Sequence, residues 1–189
     1  MRYCGFSEFM HDAGLAFISE DGRIEFATHG ERYSKFKNDP LLPDQCWEMI
    51  QNGDHVTFYE NPDIRLNIEF YKGGKKNSNT WRDNIIYSSL DYDDFCDHHV
   101  AHAANGLYTR PWESLEDTVI VSIDGAGEEE STVIFDHNFN VLDKWCLPRS
   151  LGYMYGYATK IQGLRILAEE YIFIDMADYG ETNEFKAKK

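Results

Sequence analysis

The order of strand-like segments limits the possible folds of this chain more than any other feature of its sequence. Short apolar or alternating segments, which are typical of β-strands, occur as two groups of three, and helical patterns follow each group. The groups cover residues 2–7, 13–19 and 23–28, then residues 118–123, 131–136 and 141–147. Polar or glycine turns join the strands within each group, which favours antiparallel hairpins. We therefore predict an α/β (α+β) protein made of two units laid out in the same order.

The remaining segments complete these two units. A further strand is predicted at residues 55–60, and helices are predicted at 44–50, at 81–90, from 97 onward and over 151–168. Locally basic loops at 31–40 and 71–78 lie between them. We place the boundary between the units near Pro111–Asp117, which gives a first lobe of residues 1–116, a partial second lobe of 117–181 and a solvated tail of 182–189.

Composition excludes several classes of protein. The net charge of −15 argues against binding to a nucleic-acid backbone, because such surfaces need clustered Lys and Arg. The sequence has no run of eighteen apolar residues and no charged-then-apolar leader, so we expect a soluble cytoplasmic protein that does not enter a membrane. The four cysteines are far apart and form no CxxC pair, and we assign them no chemical role.

His98 and His102 are the first candidate site residues. Residues four apart share one face of a helix, so both imidazoles can reach one ion, and imidazole is a good ligand for iron, zinc and similar cations. A lone pair at this spacing is more often an ordinary surface or core feature. Three histidines within five residues, with alanines beside them, make a metal site more plausible, although His99 would point to another side of the helix.

A second candidate follows the buried strand at residues 118–123. Asp124 is followed by Gly125, Gly127 and Glu128, so backbone N–H groups of the turn can face a phosphate while the carboxylate holds a metal. The alternative is a plain hairpin turn, and no Walker loop is present because GKS or GKT does not follow.

His11 and Lys37 form a third candidate, as an acid–base group and a phosphate partner. The alternative for His11 is an ordinary turn histidine, and for Lys37 a solvated charge.

The succession of these motifs is more specific than any one of them. The runs GFSEFMHDA at residues 5–13, ERYSKFKND at 31–39, DHHVAHA at 97–103 and DGAGE at 124–128 together resemble the carbamoyltransferases that modify nodulation factors and several antibiotics. Ser150-Leu151-Gly152 and the segment 170–180 also resemble motifs of that family. The resemblance extends over residues 3 to about 181 and is most specific at the histidine motif and Asp124.

The resemblance implies a fold and a chemistry. The family's first domain is similar to the tRNA-threonylcarbamoyl enzyme, which implies the two-lobed actin/sugar-kinase superfold. It implies a divalent metal, iron first and zinc or manganese as alternatives, bound by His98, His102 and Asp124. It also implies ATP with magnesium, whose phosphates would be lined by Asp124, Gly125, Gly127 and Glu128. Carbamoyl phosphate would be handled by His11 and Lys37, a carbamoyl-adenylate would form, and an acceptor hydroxyl would attack it.

Some features depart from the family pattern. Asn38, Ile172 and Asp175 stand where the family tends to have His, Lys and Gly. Family members are much longer, so we expect a truncated second lobe and a chain that acts as half of an enzyme, completed by a second chain or a dimer partner. A catalytically incomplete metal- or nucleotide-binding module, or an inactive remnant, remains as an alternative. The sequence does not identify the acceptor.

Overall fold

The structure is a computed structural model that describes residues 1–9, 11–61, 92–166 and 168–179. Among these residues, the larger sheet has five strands in the order β3-β2-β1-β4-β5. Strands β1 to β3 form antiparallel hairpins, whereas β4 runs parallel to β1 and β5 parallel to β4, so the sheet is mixed. The strands are β1 (Arg2–Ser7), β2 (Gly14–Ser19), β3 (Ile24–His29), β4 (Asp54–Phe58) and β5 (Asp94–Phe95).

The smaller sheet has three antiparallel strands, β6 (Val119–Ile123), β7 (Glu130–Asp136) and β8 (Val141–Cys146), in chain order. Five α-helices and one 3₁₀ turn (Ala177–Tyr179) lie among the described residues. The helices are α1 (Glu31–Ser34), α2 (Asp44–Trp47), α3 (His98–Tyr108), α4 (Leu151–Ile161) and α5 (Glu170–Met176).

Both predicted groups of three antiparallel strands are confirmed, with bounds that shift by at most one residue. The helix predicted over residues 44–50 is shorter and ends at Trp47. The helical pattern of 151–168 is interrupted after Ile161 because Gly163, at φ +84°, turns the chain, while the N–H groups of Gly163 and Leu164 donate to carbonyls of the last helical turn. The helix predicted at 81–90, the loop at 71–78 and the tail at 182–189 lie outside the described residues.

Helix α3 packs on one face of the smaller sheet. Its Ala103 and Leu107 form a buried cluster with Ile120 on β6 and with Val133 and Phe135 on β7. These side chains alternate along their strands, as expected for the core-facing side of a sheet. A separate core of the larger sheet is rich in phenylalanine and contains Phe6, Phe17 and Phe58. The packing of α3 on β6 fixes the histidines of this helix beside the residues that follow that strand.

The other face of the smaller sheet is exposed in the described part of the chain. Val119, Val121 and Ile123 are each more than half exposed, although all three belong to the apolar strand β6. Trp145 on β8 is 41% exposed and pairs with Thr132, the partner of Ile123, so it lies on the same face. None of the described helices has the length and apolar character needed to cross a bilayer.

Candidate metal centre

Helix α3 and the end of strand β6 bring three side chains to one point. The Nε2 atoms of His98 and His102 are 3.1 Å apart, as their helical spacing predicts. Asp124 directly follows β6, and its Oδ2 lies 2.7 Å from the Nε2 of His98 and 3.5 Å from that of His102. We call His98, His102 and Asp124 the ligand triad. They form the one group of three possible ligands found among the described residues.

The spacing of the ligand triad fits a single ion. At bond lengths of about 2.1 Å, two ligands separated by 90–110° lie about 3.0–3.4 Å apart. The three separations of 2.7, 3.1 and 3.5 Å lie around this range. Two histidines and one carboxylate on one side of an ion are the donor set of non-haem Fe(II) sites, and the same donors suit zinc. The role of these residues as metal ligands remains a prediction.

The carboxylate of Asp124 is held in its ionised form. Burial would raise the pKa of Asp124, but hydrogen bonding to His102, His98 and the backbone N–H of Gly125 outweighs this effect and keeps the pKa far below its ordinary value. An ionised carboxylate is the form that binds cations. The local electrostatics therefore favour a cation at this point.

The turn after β6 is fastened to the start of helix α4. Ser150 is the N-cap of this helix, where its Oγ accepts a hydrogen bond from the N–H of Tyr153 at 3.0 Å and donates to the carbonyl oxygen of Gly125 at 2.7 Å. Gly152 lies against the same turn so closely that an added Cβ would be 2.4 Å from the backbone nitrogen of Gly125. Ser150 and Gly152 thus position Asp124. The sequence signal for both was the Ser-Leu-Gly motif, to which no role had been given.

The two glycines of the turn have different surroundings. A Cβ at Gly127 would lie 2.9 Å from ring atoms of His99 and 3.0 Å from the ring of His98, so packing against these histidines requires a glycine there. A Cβ at Gly125 would meet only the ring of Tyr153, at an ordinary 3.8 Å. Packing therefore accounts for Gly127 but not for Gly125. The predicted phosphate contacts of both residues are untested by the structure.

Glu128 is buried and caps helix α3 from outside the helix. Both of its carboxylate oxygens lie 3.2 Å from the N–H of His98, the first residue of the helix, and Oε1 also accepts from the N–H of Asn61 at 2.8 Å. The first N–H groups of a helix lack partners within it and carry a partial positive charge, so a carboxylate is stabilised there. Glu128 was predicted to line a nucleotide. The contacts observed fix the start of α3, and the predicted nucleotide contact is untested by the structure.

His99 points away from the ligand triad, as predicted. Its ring is buried, with Nε2 donating to the carbonyl oxygen of Glu130 at 3.0 Å and Nδ1 accepting from the Ser122 hydroxyl at 2.7 Å. We assign this tautomer because a carbonyl oxygen can only accept a hydrogen bond. His99 therefore ties α3 to strands β6 and β7, which is a structural role.

The loops that carry His11 and Lys37 lie side by side. The N–H groups of Phe9 and Ala13 donate to the carbonyl oxygens of Pro40 and Asp39, each at 2.8 Å. His11 itself is exposed and contacts Asp12, while the Nζ of Lys37 lies 3.5 Å from a carboxylate oxygen of Glu31 and 5.7 Å from the ring centre of Tyr171. Among the described residues, neither side chain bonds to the ligand triad. Their predicted catalytic roles are untested.

The side chain of Glu8 also connects the loops that carry His11 and Lys37. Its buried carboxylate accepts a hydrogen bond from the N–H of Leu42 at 2.6 Å. Burial raises the pKa of Glu8 to about 7, the Leu42 N–H opposes this shift, and the charge of Asp39 adds to it. The folded protein therefore holds a proton on Glu8 at pH values where the unfolded chain has lost it.

This raised pKa predicts a pH-dependent stability. Between pH 4.5 and 7 the folded state binds more protons at Glu8 than the unfolded state does, so the free energy of unfolding should fall as pH rises. Glu8→Gln keeps an acceptor for Leu42 and removes the titration. Relative to the parent, this variant should gain up to about 3 kcal/mol between pH 4.5 and pH 8, measured by urea unfolding. Glu113→Gln, at an exposed position, should track the parent, and an equal pH slope in Glu8→Gln would contradict the prediction.

Comparison with known proteins identifies a family for this chain. The profile of the carbamoyltransferase N-terminus family matches residues 87–188, which is more than half of the chain and includes the whole ligand triad. The chain belongs to this family. It is also 25% identical over 215 residues to an uncharacterized protein of Synechocystis, an alignment that covers 94% of this chain and 34% of that relative. The chain therefore spans about a third of the length of this relative.

Proposed function

We propose that this chain provides the metal- and phosphate-binding part of a carbamoyl-transfer site. The observation that carries the proposal is the meeting of His98, His102 and Asp124 within hydrogen-bond or ion-pair distance, inside the segment that matches the carbamoyltransferase family. A protein that only needed these residues for folding would gain little from placing two imidazole Nε2 atoms and a carboxylate oxygen against one another. Such a cluster is best satisfied by a shared cation.

The proposed metal is iron, with zinc or manganese as alternatives. When bound, it supplies positive charge that neutralises phosphate oxygens and polarises the bond that reacts. The chain itself positions the ligands. The helical spacing of His98 and His102 sets the two imidazoles, and hydrogen bonds from the Ser150 hydroxyl hold the Asp124 turn. The proposed phosphate contact would lie at the Gly125 turn beside the metal, where the Gly125 N–H donates to the Asp124 carboxylate and the Gly127 N–H to the carbonyl oxygen of Glu130.

The proposed substrates are ATP with magnesium, carbamoyl phosphate and an acceptor hydroxyl. The carbamoyl group is joined to the AMP portion of ATP, one water is consumed, and phosphate and pyrophosphate are released. The acceptor hydroxyl then attacks the carbonyl carbon and AMP leaves. Lys37 and His11, on loops that hydrogen bonds hold together, would bind the anionic donor as a point charge and a neutral-pH acid–base group.

We further propose that the two sheets are the starts of the two lobes of an actin/sugar-kinase fold, with residues 1–116 in the first lobe and 117–181 in the second. The support is that each sheet begins with three consecutive antiparallel strands, and that the ligand triad combines a helix that precedes the proposed boundary with a turn that follows it. In this arrangement the nucleotide would bind between the lobes.

A second candidate is a metal- and nucleotide-binding module that acts as a partner subunit without turnover of its own. The observation that favours it is the exposed apolar face formed by Val119, Val121, Ile123 and Trp145, because faces of this kind are often covered by another chain or another copy. Pyrophosphate release from ATP in the presence of carbamoyl phosphate separates the two candidates. Release by the metal-loaded chain, alone or mixed with a second polypeptide, supports transfer, whereas ATP binding without release under all conditions supports the module.

Carbamoyl phosphate binding should depend on Lys37 but not on its neighbour Lys35. Both side chains lie in the same loop, and the Nζ of Lys35 bonds to the carbonyl oxygen of Arg32. Lys37→Ala should weaken binding by roughly 1–3 kcal/mol, the scale of a lost charge-assisted hydrogen bond, when metal-loaded protein is titrated by calorimetry. Lys35→Ala is the matched control for the change in charge. Equal weakening by both variants would contradict the prediction, because it would mean that Lys37 contributes only a general positive charge.

A further inference from the structure

The ring of His98 has a second nitrogen that the ligand triad does not use. Its Nδ1 is buried and has no hydrogen-bond partner among the described residues. The nearest carboxylate on that side is Glu60, whose Oε2 lies 3.9 Å away, within ion-pair range but beyond a hydrogen bond. Glu60 is 2% exposed. His98 is therefore placed between two carboxylates, with Asp124 at Nε2 and Glu60 at Nδ1.

The backbone around Glu60 is held against helix α3. Strand β4 ends two residues earlier, and the ring of Tyr59 packs against His98 at 6.0 Å between centroids. On the other side, the N–H of Asn61 donates to Glu128, the same carboxylate that caps the helix at His98. The contacts of Tyr59 and Asn61 thus fix the backbone of Glu60 beside the first turn of α3. This placement does not depend on the side chain's own hydrogen bonds.

A histidine that binds a metal through Nε2 carries its remaining proton on Nδ1. An acceptor at Nδ1 orients the ring, and a negatively charged acceptor makes the ligand nitrogen more basic. A buried carboxylate is also costly unless positive charge lies nearby, and a metal bound to His98 would supply it through the ring. Both effects act in the same direction. Each makes the metal bind more tightly when Glu60 is present.

We propose that Glu60 is the positioning residue of the metal centre, which accepts the Nδ1–H of His98 and so aims its Nε2 lone pair at the ion. This inference rests on the proposed metal site but is independent of carbamoyl transfer. The sequence contains no motif around Glu60. Its position beside His98 depends on the packing of strand β4 and helix α3, which neighbouring residues in the sequence do not reveal. The 3.9 Å gap should close to a hydrogen bond once an ion draws His98 into place.

The test uses zinc alone as the probe, with a competing chromophoric chelator to measure affinity. Glu60→Gln keeps the size of the side chain and an acceptor oxygen but removes the charge, and it should weaken zinc binding by about 10–100-fold. Glu129→Gln makes the same change in net charge at an exposed position and should bind as the parent does. Equal affinity of Glu60→Gln and the parent would overturn the inference. Absence of zinc binding by the parent would instead overturn the metal site itself.

A second measurement on the unaltered chain guards against loss of folding in the variant. In zinc-loaded protein labelled with ¹⁵N at histidine, the Nδ1–H of His98 should give a slowly exchanging, downfield proton resonance. A purely structural contact of Glu60 elsewhere would not produce it. A His98 Nδ1–H that exchanges rapidly with solvent, or that lies at the position of a free imidazole, would overturn the inference whatever the variant does.

Discussion

Replacing both His98 and His102 with alanine should abolish metal binding by this chain. The double variant retains only Asp124 of the ligand triad, and a single monodentate carboxylate does not hold a transition-metal ion against competition from buffer. We expect affinity to fall by more than about 100-fold, beyond the range that follows from loss of a residue that only supports a ligand. Elemental analysis of the purified proteins measures bound metal directly, and chelator competition gives the affinities.

Three further variants make this result interpretable. His102 is about half exposed, so His102→Ala alone should reduce metal binding without affecting the fold. His137→Ala removes an exposed histidine from the turn after β7 and should change nothing. His99→Ala should lower the free energy of unfolding, because it removes hydrogen bonds to Ser122 and Glu130, but it should leave metal content in the folded protein unchanged. Unaltered metal content in the His98/His102 double variant would refute the site.

The second large effect is expected from Gly152→Ala. An added Cβ would lie 2.4 Å from the nitrogen of Gly125 and 2.6 Å from the carbonyl carbon of Asp124. These are backbone atoms of the turn, so no side chain can rotate away, and either helix α4 or the turn has to move. We expect the variant to lose about 3 kcal/mol or more of the free energy of unfolding, at the upper end of overpacking effects, and to lose metal affinity as Asp124 shifts.

The matched control is Gly106→Ala in helix α3, where a Cβ would meet nothing within 4 Å. An alanine there should stabilise the protein by about 0.5–1 kcal/mol, because glycine is unfavourable inside a helix. Thermal or urea unfolding of both variants measures the contrast. If Gly152→Ala also proved neutral or stabilising, the close approach of α4 to the Asp124 turn would not be a constraint on this fold.

Local sequence signals predicted most of the elements that build the site. The alternation of residues 23–28 and the β-branched run of 118–123 identified strands β3 and β6, and the helical spacing of His98 and His102 put their rings on one face. In each case the predictive pattern is local, because it involves only a few residues that are close together in the sequence. The short helix at Asp44–Trp47 was overestimated, since no local feature showed that it would end before Ile50.

What could not be predicted depends on contacts between distant segments. Glu60 has no distinctive sequence context, and its proposed role rests on its position beside His98 at the start of α3. The nucleotide-binding role of Glu128 stays a prediction, and nothing near it in the sequence showed that its carboxylate caps a helix thirty positions earlier in the chain. The Ser-Leu-Gly motif drew attention to Gly152 but did not predict its contact with the turn after β6, which is made through backbone atoms.

The members of the ligand triad come from different secondary-structure elements, since the histidines belong to α3 and the carboxylate follows the end of β6. A bound ion would therefore join the helix and the strand, much as a cross-link does. Any binding energy at this point adds to the energy that holds α3 on the smaller sheet, by an amount that grows with the logarithm of the metal concentration. Movement of α3 relative to β6 would then be restrained by the same ion that is proposed to take part in carbamoyl transfer.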